Sequence, residues 1–299
     1  MNIFISLPAQ TLELYDDQGL LQRRYTVSTA KNGAGEASGS FCTPRGKHRI
    51  RARIGQGCAE NTVFIRRRPT GEIWSAELAA QFPGRDWILT RILWLSGCEP
   101  GFNRLGAVDT MRRYVYLHGC PESAAMGVPG SIGCVRMRNA DIVELFDAVP
   151  VYTTVNIGEF EVLSGGWDTL SDGARQVRQT VFVEAQGIAA HLEWESADSR
   201  ARHVVARDGD GRAVGTGRLL DDGRIGRLAV LPSWRGKGVG TLLLRHLMSL
   251  ARTVHLQQIY LHAQLEAVPF YQASGFVLDG ASFLEVGAPH VRMQRTLSV

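Results

Sequence analysis

The sequence predicts two domains, a mainly β domain followed by an α/β domain. Its 299 residues are enough for two domains at the usual ~150 residues each. The first half alternates short β-branched runs with glycine and proline turns, which is typical of β structure. The second half contains a strand that leads into a glycine-rich turn and an amphipathic helix, which is typical of an α/β domain.

The composition is that of an ordinary globular protein with enough apolar residues for two cores. Hydrophobic residues make up 44% and charged residues 21% of the chain. The net charge is +4, and we interpret the densest basic cluster, at residues 66–68, as a solvated loop. No stretch approaches the ~18 apolar residues of a membrane span. We therefore expect neither a nucleic-acid partner nor a membrane span.

The beginning of the chain and its cysteines favour a reducing compartment. The first residues lack the basic start, the apolar core and the small-residue cleavage site of a signal peptide. Five cysteines cannot all pair with one another, and none forms a metal-binding pair with two-residue spacing. We predict a cytoplasmic protein without a metal. The cysteines are Cys42, Cys58, Cys98, Cys120 and Cys134.

Within the first half, strands are clearest at residues 25–28 and 114–117. Residues 139–149 are predicted to form a helix with Asn139 as its N-cap, and residues 151–157 are predicted to form a closing strand. Residues 163–166, Leu-Ser-Gly-Gly, are the best linker candidate. We therefore place the two domains at residues 1–163 and 164–299.

A histidine and a cysteine in the first half have the chemistry of acyl transfer through a thioester. A turn rich in glycine and proline separates His118 from Cys134 and would bring the two side chains together. A nearby imidazole can take the thiol proton, so that the thiolate attacks a carbonyl group. Gly133 would leave room for the acyl group, and the N–H groups of Gly133 and Cys134 could bind the oxyanion.

The segments around this pair resemble the signature of the L,D-transpeptidase (YkuD) catalytic domain. They are residues 114–119, Tyr-Val-Tyr-Leu-His-Gly, and residues 126–141, which contain Ser-Ile-Gly-Cys-Val-Arg. The resemblance extends over about residues 1–158 and includes Gly39–Gly46. It implies a peptidoglycan stem peptide or muropeptide as substrate. By the same resemblance Cys134 is the nucleophile and His118 the base, while the residues that shape the site are Ser131, Gly133 and Arg136.

Two positions depart from the pattern of that family. Ile132 stands where members usually have a histidine, and Cys120 where many have a threonine. Family members also usually act outside the inner membrane, which conflicts with the predicted cytoplasmic location. The alternative interpretation of the first domain is a non-catalytic module that binds peptides.

In the second half, a strand, a glycine-rich turn and a helix follow one another closely. The strand covers residues 225–232 and runs into Trp234-Arg-Gly-Lys-Gly-Val-Gly240. Glycines let backbone N–H groups approach a phosphate, and a helix N-terminus favours negative charge. Arg235 and Lys237 add positive charge there, so the turn is a candidate anion site.

Residues 235–240 resemble the pyrophosphate-binding loop of the GNAT N-acetyltransferases, and the likeness extends over about residues 167–299. It implies a mixed central sheet and acetyl-CoA as co-substrate. Tyr271 stands where a tyrosine protonates the departing thiolate. Backbone groups of the preceding strand would hold the pantetheine arm. The implied cofactor-binding residues are Leu228, Ala229, Val230, Arg235, Gly236, Lys237, Gly238, Val239 and Gly240.

The acceptor side resembles the ElaA-like acetyltransferases at residues 191–195 and 283–293. An acceptor amine must lose a proton before it attacks, so a base is expected nearby. The candidates are Glu193, Glu195, Glu285 and His290, whereas His203, His246, His255 and His262 are interpreted as structural. The sequence thus predicts a bifunctional acyltransferase acting on a stem peptide and on an amine. In the alternative, the second domain is a CoA sensor.

Overall fold

The computed structural model describes residues 1–297, and positions 298 and 299 of the predicted second domain lie outside the described residues. The chain forms two compact units. The first comprises Met1–Tyr15 and Gln22–Glu159, and the second comprises Asp16–Leu21 and the chain from Phe160 onward. The predicted fold class, a mainly β domain followed by an α/β domain with a mixed sheet, is confirmed.

A ten-stranded sheet dominates the first unit within the described residues. Its main path runs β3-β2-β1-β10-β4-β7-β5-β6, and β8 pairs with β7 and β9. Most neighbours are antiparallel, but β1 runs parallel to β10 and β8 runs parallel to β9. The elements are β1 (Asn2–Ser6), β2 (Thr11–Tyr15), β3 (Leu21–Thr26), β4 (Gly46–Ile54), β5 (Thr62–Ile65), β6 (Arg68–Ile73), α1 (Ala76–Gln81), β7 (Ile88–Gly97), β8 (Tyr116–Gly119), β9 (Val135–Met137), α2 (Asn139–Ala148) and β10 (Thr154–Gly158).

Helix α2 confirms the predicted helix, and its apolar face completes the core of the first unit. Ile142, Leu145 and Phe146 are buried against the sheet. The prediction that Asn139 is the N-cap was wrong, because Arg138 occupies that position. The Asn139 side chain instead accepts a hydrogen bond from the Thr90 hydroxyl, so it joins the helix to β7.

The second unit contains two sheets within the described residues, in the orders β11-β12-β13-β14 and β15-β17-β16. Its elements are β11 (Phe160–Gly165), α3 (Trp167–Arg178), a π-helical segment (Gln179–Ala185), α4 (Ala190–Glu193), β12 (Arg202–Asp208), β13 (Ala213–Leu219), β14 (Ile225–Val230), α5 (Val239–Thr253), β15 (Gln258–Gln264), α6 (Val268–Gln272), β16 (Val277–Glu285) and β17 (Ala288–Thr296).

The linker predicted at residues 163–166 was wrong. Residues 163–165 belong to β11 and pair with β12, and helix α3 begins at Trp167. Glycine there serves a tight strand-to-helix connection, since a Cβ on Gly165 would lie 2.7 Å from the Thr169 hydroxyl oxygen. The Gly-Gly pair thus marks a turn inside the second unit.

Strands β14 and β15 separate after a single parallel bridge between Arg224 and Tyr260. The outer edge of β14 therefore faces a gap between the two sheets of the second unit. This gap contains the cavity described below. No helix in the described part of the chain is long and apolar enough to cross a membrane.

Candidate functional sites

The parallel pair of β8 and β9 brings the predicted histidine and cysteine onto one face. Leu117 pairs with Val135 and His118 with Arg136, so Cys134 lies opposite Tyr116. Side chains alternate along a strand, and residues that face each other across a pair point the same way. His118 and Cys134 are therefore diagonal neighbours on the same side of the sheet.

His118 is fully buried and has one free nitrogen. Its Nδ1 lies 2.8 Å from the Gly119 carbonyl oxygen, so Nδ1 carries the hydrogen and donates it. The buried Nε2 has no hydrogen-bond partner within residues 1–297. Burial lowers the pKa of His118, against smaller opposing effects of Asp86 and the Gly119 carbonyl. The ring is thus a neutral imidazole whose Nε2 lone pair can accept a proton.

The Cys134 thiol is held by the backbone of the strand opposite. Its Sγ lies 3.4 Å from the Tyr116 nitrogen, which donates to it, and 3.6 Å from the Tyr114 carbonyl oxygen, which accepts from it. Burial raises the pKa of Cys134 to about 12, although the Tyr116 amide and Arg136 oppose this. The resting sulfur is therefore a thiol that donates to the Tyr114 carbonyl.

The turn before Cys134 is fixed by hydroxyl groups. The Ser131 Oγ accepts from the Gly133 nitrogen at 3.2 Å and donates to the Cys134 carbonyl at 2.5 Å. The Thr43 hydroxyl donates to the Gly133 carbonyl at 3.1 Å. Gly133 has φ = 129°, a backbone conformation that belongs almost exclusively to glycine.

The same contacts revise the expected oxyanion site. The Gly133 N–H is already engaged with Ser131, so it does not serve as a free donor. The Cys134 N–H makes no hydrogen bond within the described part of the chain. Of the two backbone groups expected from the sequence, only the Cys134 N–H is available to a developing oxyanion.

Arg136 joins the turn to a carboxylate that the sequence did not single out. Its Nη2 lies 2.6 Å from an Asp86 carboxylate oxygen, and its Nη1 donates to the Gly130 carbonyl at 3.1 Å. Arg113 was also missed; it donates to the Cys42 carbonyl at 2.6 Å, and its charge favours the Cys134 thiolate. Neither Asp86 nor Arg113 lies in a motif, and only the folded chain brings them to the site.

The two departures from the family pattern have different surroundings. Ile132 is 45% exposed and offers no polar group where a histidine is usual. Cys120 is buried, and its Sγ contacts the Met137 carbonyl oxygen at 3.3 Å. Burial raises the pKa of Cys120 to about 11, so this thiol is a packing group.

The sequence suggested that the basic cluster at residues 66–68 is a solvated loop, but part of this cluster makes specific contacts. Arg66 and Arg67 form the two-residue turn between β5 and β6, with φ of 47° and 67°. The Arg67 guanidinium lies 4.4 Å from the centroid of the Trp94 ring and 4.8 Å from that of the Tyr114 ring. It also donates to the Tyr116 hydroxyl at 3.0 Å, so it covers the residues that hold the Cys134 sulfur.

In the second unit, a cavity of about 780 Å³ lies beside the outer edge of β14. The π-helical segment, β15 and the β16–β17 turn supply its other walls. It brings together most of the site residues predicted for this half. Those that line it are Glu193, Leu228, Ala229, Val230, Arg235, Tyr271, Glu285 and His290.

The pairing of β14 shows which backbone groups face the cavity. Leu231 donates to Val214, and bonded and non-bonded pairs alternate along an antiparallel ladder. The Ala229 groups therefore bond to Thr216 in β13, and the Val230 groups point outward. A bulge at Arg227, where φ is 51°, turns the strand just before Leu228. The expected pantetheine contacts are therefore limited to the backbone of Leu228 and the Val230 N–H, since the Ala229 groups are occupied and the Val230 carbonyl accepts from Arg235 Nε at 3.2 Å.

The glycine loop at the N-terminus of α5 contains two glycines in the left-handed region. Gly236 and Gly238 have φ of 75° and 86°, and a Cβ on either would meet no atom within 4 Å. Successive backbone N–H groups in such turns converge on an anion. Arg235 and Lys237 are exposed beside them, whereas the Val239 side chain is buried in the core. Val239 and Gly240 can contribute only backbone groups of the first helical turn.

Tyr271 lines the cavity from α6, packed between aromatic rings. The centroids of the Phe270 and Phe276 rings lie 5.0 and 6.0 Å from the centroid of its ring. Burial raises the pKa of Tyr271 to about 12. The phenol therefore remains protonated at neutral pH and is suited to give a proton to a departing thiolate.

The glutamates expected as bases from residues 193–195 are engaged with arginines. Both Glu193 oxygens are occupied, one by Arg178 at 2.6 Å and one by Arg227 at 3.1 Å. Glu195 pairs with Arg218 at 2.7 Å and with Arg227 at 2.6 Å. Burial raises the pKa of Glu193, although the arginines oppose it. These carboxylates hold the bulge of β14, and neither is free to accept a proton from an amine.

Glu285 and a histidine that the sequence analysis set aside meet at the cavity wall. The His262 Nδ1 lies 2.8 Å from one Glu285 oxygen, and Arg224 contacts the other at 2.9 Å. His290 also lines the cavity, with its Nδ1 2.9 Å from the Ala288 carbonyl oxygen. The interpretation of His262 as structural was thus incomplete, because β15 places its ring in the cavity.

Comparisons with known proteins assign a family to each unit. Residues 2–157 match the family model of the L,D-transpeptidase catalytic domain, and residues 171–297 match that of the acetyltransferase (GNAT) domain. A relative from Bacillus subtilis strain 168, described as the uncharacterized N-acetyltransferase YjcF, is 36% identical over 138 residues. This alignment covers 45% of the chain and 97% of the relative.

Solved structures also resemble part of this chain. An acyl-CoA N-acyltransferase from Pseudomonas aeruginosa is 28% identical with a TM-score of 0.42, and covers 46% of this chain and 99% of its own. ElaA of Escherichia coli is 26% identical with a TM-score of 0.41, and covers the same shares of the two chains, 46% and 99%.

Proposed function

Since the chain belongs to the L,D-transpeptidase (YkuD) family in its first half and to the GNAT acetyltransferases in its second, we propose that it is a bifunctional acyltransferase. Both families transfer acyl groups. The proposal concerns the two reactions of this chain, their substrates and the residues that perform them.

In the first unit, the proposed reaction is transfer of a stem-peptide acyl group through Cys134. His118 Nε2 takes the thiol proton while Sγ attacks the peptide carbonyl, and the Cys134 N–H binds the oxyanion. The C–N bond then breaks, and the leaving amine takes the proton from His118. An amine or water releases the acyl group from sulfur. The main support is the unpartnered Nε2 of His118, buried on the same face as Cys134.

Purified protein incubated with a disaccharide tetrapeptide muropeptide tests this half. Mass spectrometry should show loss of the terminal residue, or its exchange for an added D-amino acid, and Cys134→Ala should abolish both. The exposed Ile132 favours the alternative, a peptide-binding module without turnover. Calorimetric binding of the muropeptide with no product would support that alternative and contradict the transpeptidase.

In the second unit, the proposed reaction is acetyl transfer from acetyl-CoA to a primary amine. The pyrophosphate would bind the N–H groups of the loop around Gly236 and Gly238, with Arg235 and Lys237 beside them. The pantetheine arm would add to the outer edge of β14. The amine attacks the thioester carbonyl, the C–S bond breaks, and Tyr271 protonates the CoA thiolate. The cavity between this edge and β15 is the main support.

Calorimetry with acetyl-CoA, combined with a turnover assay on a panel of primary amines, tests the second half. We expect binding, and release of free CoA thiol with at least one amine. Tyr271→Phe should retain acetyl-CoA binding and lose most of the turnover. Tight binding with no product on any amine would instead favour the CoA sensor.

We further propose that the two units share a pool of substrates. Muropeptide fragments carry the peptide carbonyl that Cys134 needs and the free amines, on amino sugars or diaminopimelate, that an acetyltransferase needs. The requirement for acetyl-CoA favours a cytoplasmic pool. Failure of the purified protein to cleave or acetylate any muropeptide would remove this connection between the units.

A further inference from the structure

The cavity of the second unit contains a carboxylate–imidazole pair with a free ring nitrogen. His262 lies on β15 and Glu285 at the end of β16, so the pair forms only when the sheet β15-β17-β16 assembles. The two side chains are 24% and 32% exposed, and both line the cavity. The pair is therefore accessible to a molecule bound there.

The hydrogen bonds determine which nitrogen of His262 holds the proton. Burial disfavours the charge on Glu285, but the hydrogen bond from His262 and the charge of Arg224 outweigh it and lower the pKa of Glu285. An ionised carboxylate only accepts hydrogen bonds, so Nδ1 of His262 is the donor over the 2.8 Å contact. The Arg224 Nη2, which lies 3.1 Å from the same Nδ1, donates over its shorter 2.9 Å contact to the other Glu285 oxygen. The lone pair is then on Nε2, for which no hydrogen-bond partner exists in the described part of the chain.

Arg224 and Glu193, two other charged residues of the cavity wall, are already paired, whereas Arg235 and Glu266 make no ion pair within residues 1–297. Arg224 is bound to Glu285, and Glu193 to Arg178 and Arg227. His290 has no carboxylate behind its ring, since its Nδ1 donates to a backbone carbonyl. The ionisable groups of the described residues that face His262, directly or through Tyr260, are Glu285, Arg224, Tyr260, Asp222, Arg292 and His290.

We infer that His262 is the general base that deprotonates the acceptor amine, with Glu285 as the positioning residue that fixes its tautomer. The inference rests on the proposed acetyltransferase activity. The acceptor is then a primary amine that enters as an ammonium ion and donates a hydrogen bond to Nε2 of His262. Arg224 holds the second Glu285 oxygen and keeps the carboxylate turned toward the ring.

The proton balance of the step is complete. His262 Nε2 takes one proton from the ammonium group, and the neutral amine nitrogen forms a bond to the acetyl carbon. As the C–S bond breaks, the CoA thiolate takes the Tyr271 proton, and the amide nitrogen returns a proton to Tyr271. His262 releases its proton to solvent. The net products are the acetamide, CoA thiol and one proton.

The test measures acetylation by the full-length protein and its variants His262→Ala, Glu285→Gln and His255→Ala. The acceptor is whichever of benzylamine, tyramine, glucosamine or diaminopimelate the wild type acetylates. General-base catalysis contributes about 10²–10⁴-fold, so we expect His262→Ala to lower kcat at least about 100-fold. The dissociation constant for acetyl-CoA should remain within about twofold. The control, His255→Ala, changes a histidine that does not line the cavity and should behave as the wild type.

Added imidazole distinguishes a base from a structural residue. It should restore part of the turnover of His262→Ala, because it can occupy the vacated space and accept the proton. Glu285→Gln should lower kcat more than it raises KM, since it disturbs the tautomer and leaves the cavity intact. His262→Ala activity within fivefold of the wild type, or a loss that imidazole does not rescue, would overturn the base assignment alone. Failure of the wild type to acetylate any of the four amines would overturn the proposed acetyltransferase itself.

Discussion

The protonation state of Cys134 leads to a sharp prediction about its reactivity. Only the thiolate reacts with iodoacetamide. With the pKa of Cys134 raised to about 12 from the ordinary 9, about 3 in 10⁵ of the sulfur is thiolate at pH 7.5, against about 3 in 10² for an ordinary thiol. The thiolate of a higher-pKa thiol is the stronger nucleophile, with a Brønsted slope of about 0.4–0.5, so alkylation of Cys134 at pH 7.5 should be about 30–60-fold slower than that of a free thiol in solution.

The pH dependence of alkylation distinguishes the ionisation of the Cys134 thiol from restricted access of iodoacetamide to it. The rate should rise about tenfold for each pH unit from pH 6 to pH 10 without a plateau, since the thiolate fraction rises in that way. Restricted access lowers the rate equally at every pH and leaves this slope unchanged. Peptide mass spectrometry follows the Cys134 peptide separately from the other four cysteines, with N-acetylcysteine as the reference thiol and Cys134→Ala as the control.

A rate that is flat below pH 8 would refute the reasoning. It would mean that Cys134 and His118 already form a thiolate–imidazolium pair in the resting protein. The structure predicts instead a neutral thiol, held between the Tyr114 carbonyl and the Tyr116 amide, beside a neutral imidazole. In that arrangement His118 takes the proton during the attack on the carbonyl.

Three further predictions concern stability and are measured by denaturant unfolding. Gly133→Ala should destabilise the protein by about 1–3 kcal/mol, because alanine is strained at φ = 129°; a cost near zero would contradict this. Arg178→Met should cost about 3–5 kcal/mol, because two buried carboxylates lose a partner; an unchanged midpoint would contradict this. His48 stays neutral when folded, with a pKa near 4 against 6.5 unfolded, so stability should fall by ~3 kcal/mol from pH 7 to pH 4. His48→Gln should remove that part of the loss, and an identical pH profile for the variant would contradict the assignment.

Local sequence patterns predicted the parts of both sites that lie close together along the chain. His118 and Cys134 are separated by one turn whose glycines and proline imply a reversal, and two adjacent strands do bring them to one face. The loop at residues 235–240 was similarly evident, because a strand, glycines and an amphipathic helix follow directly on one another.

The parts that escaped prediction depend on contacts between distant segments. His262 meets Glu285 only through the pairing of both strands with β17, so neither residue type nor spacing indicated its role. Glu193 was expected to be free, but the arginines that engage it come from α3 and the bulge of β14. The Gly-Gly pair read as a linker is a strand end, because glycine marks a tight turn as readily as a flexible segment.

The most direct test of the account is acylation of Cys134 by a carbapenem, followed by intact-protein mass spectrometry. The wild type should gain the mass of one carbapenem, Cys134→Ala should gain none, and His118→Ala should react more slowly. That result would establish a working thiol–imidazole site despite Ile132. No adduct on the wild type, or an adduct that persists in Cys134→Ala, would contradict the account and leave acetyl transfer as the activity of this chain.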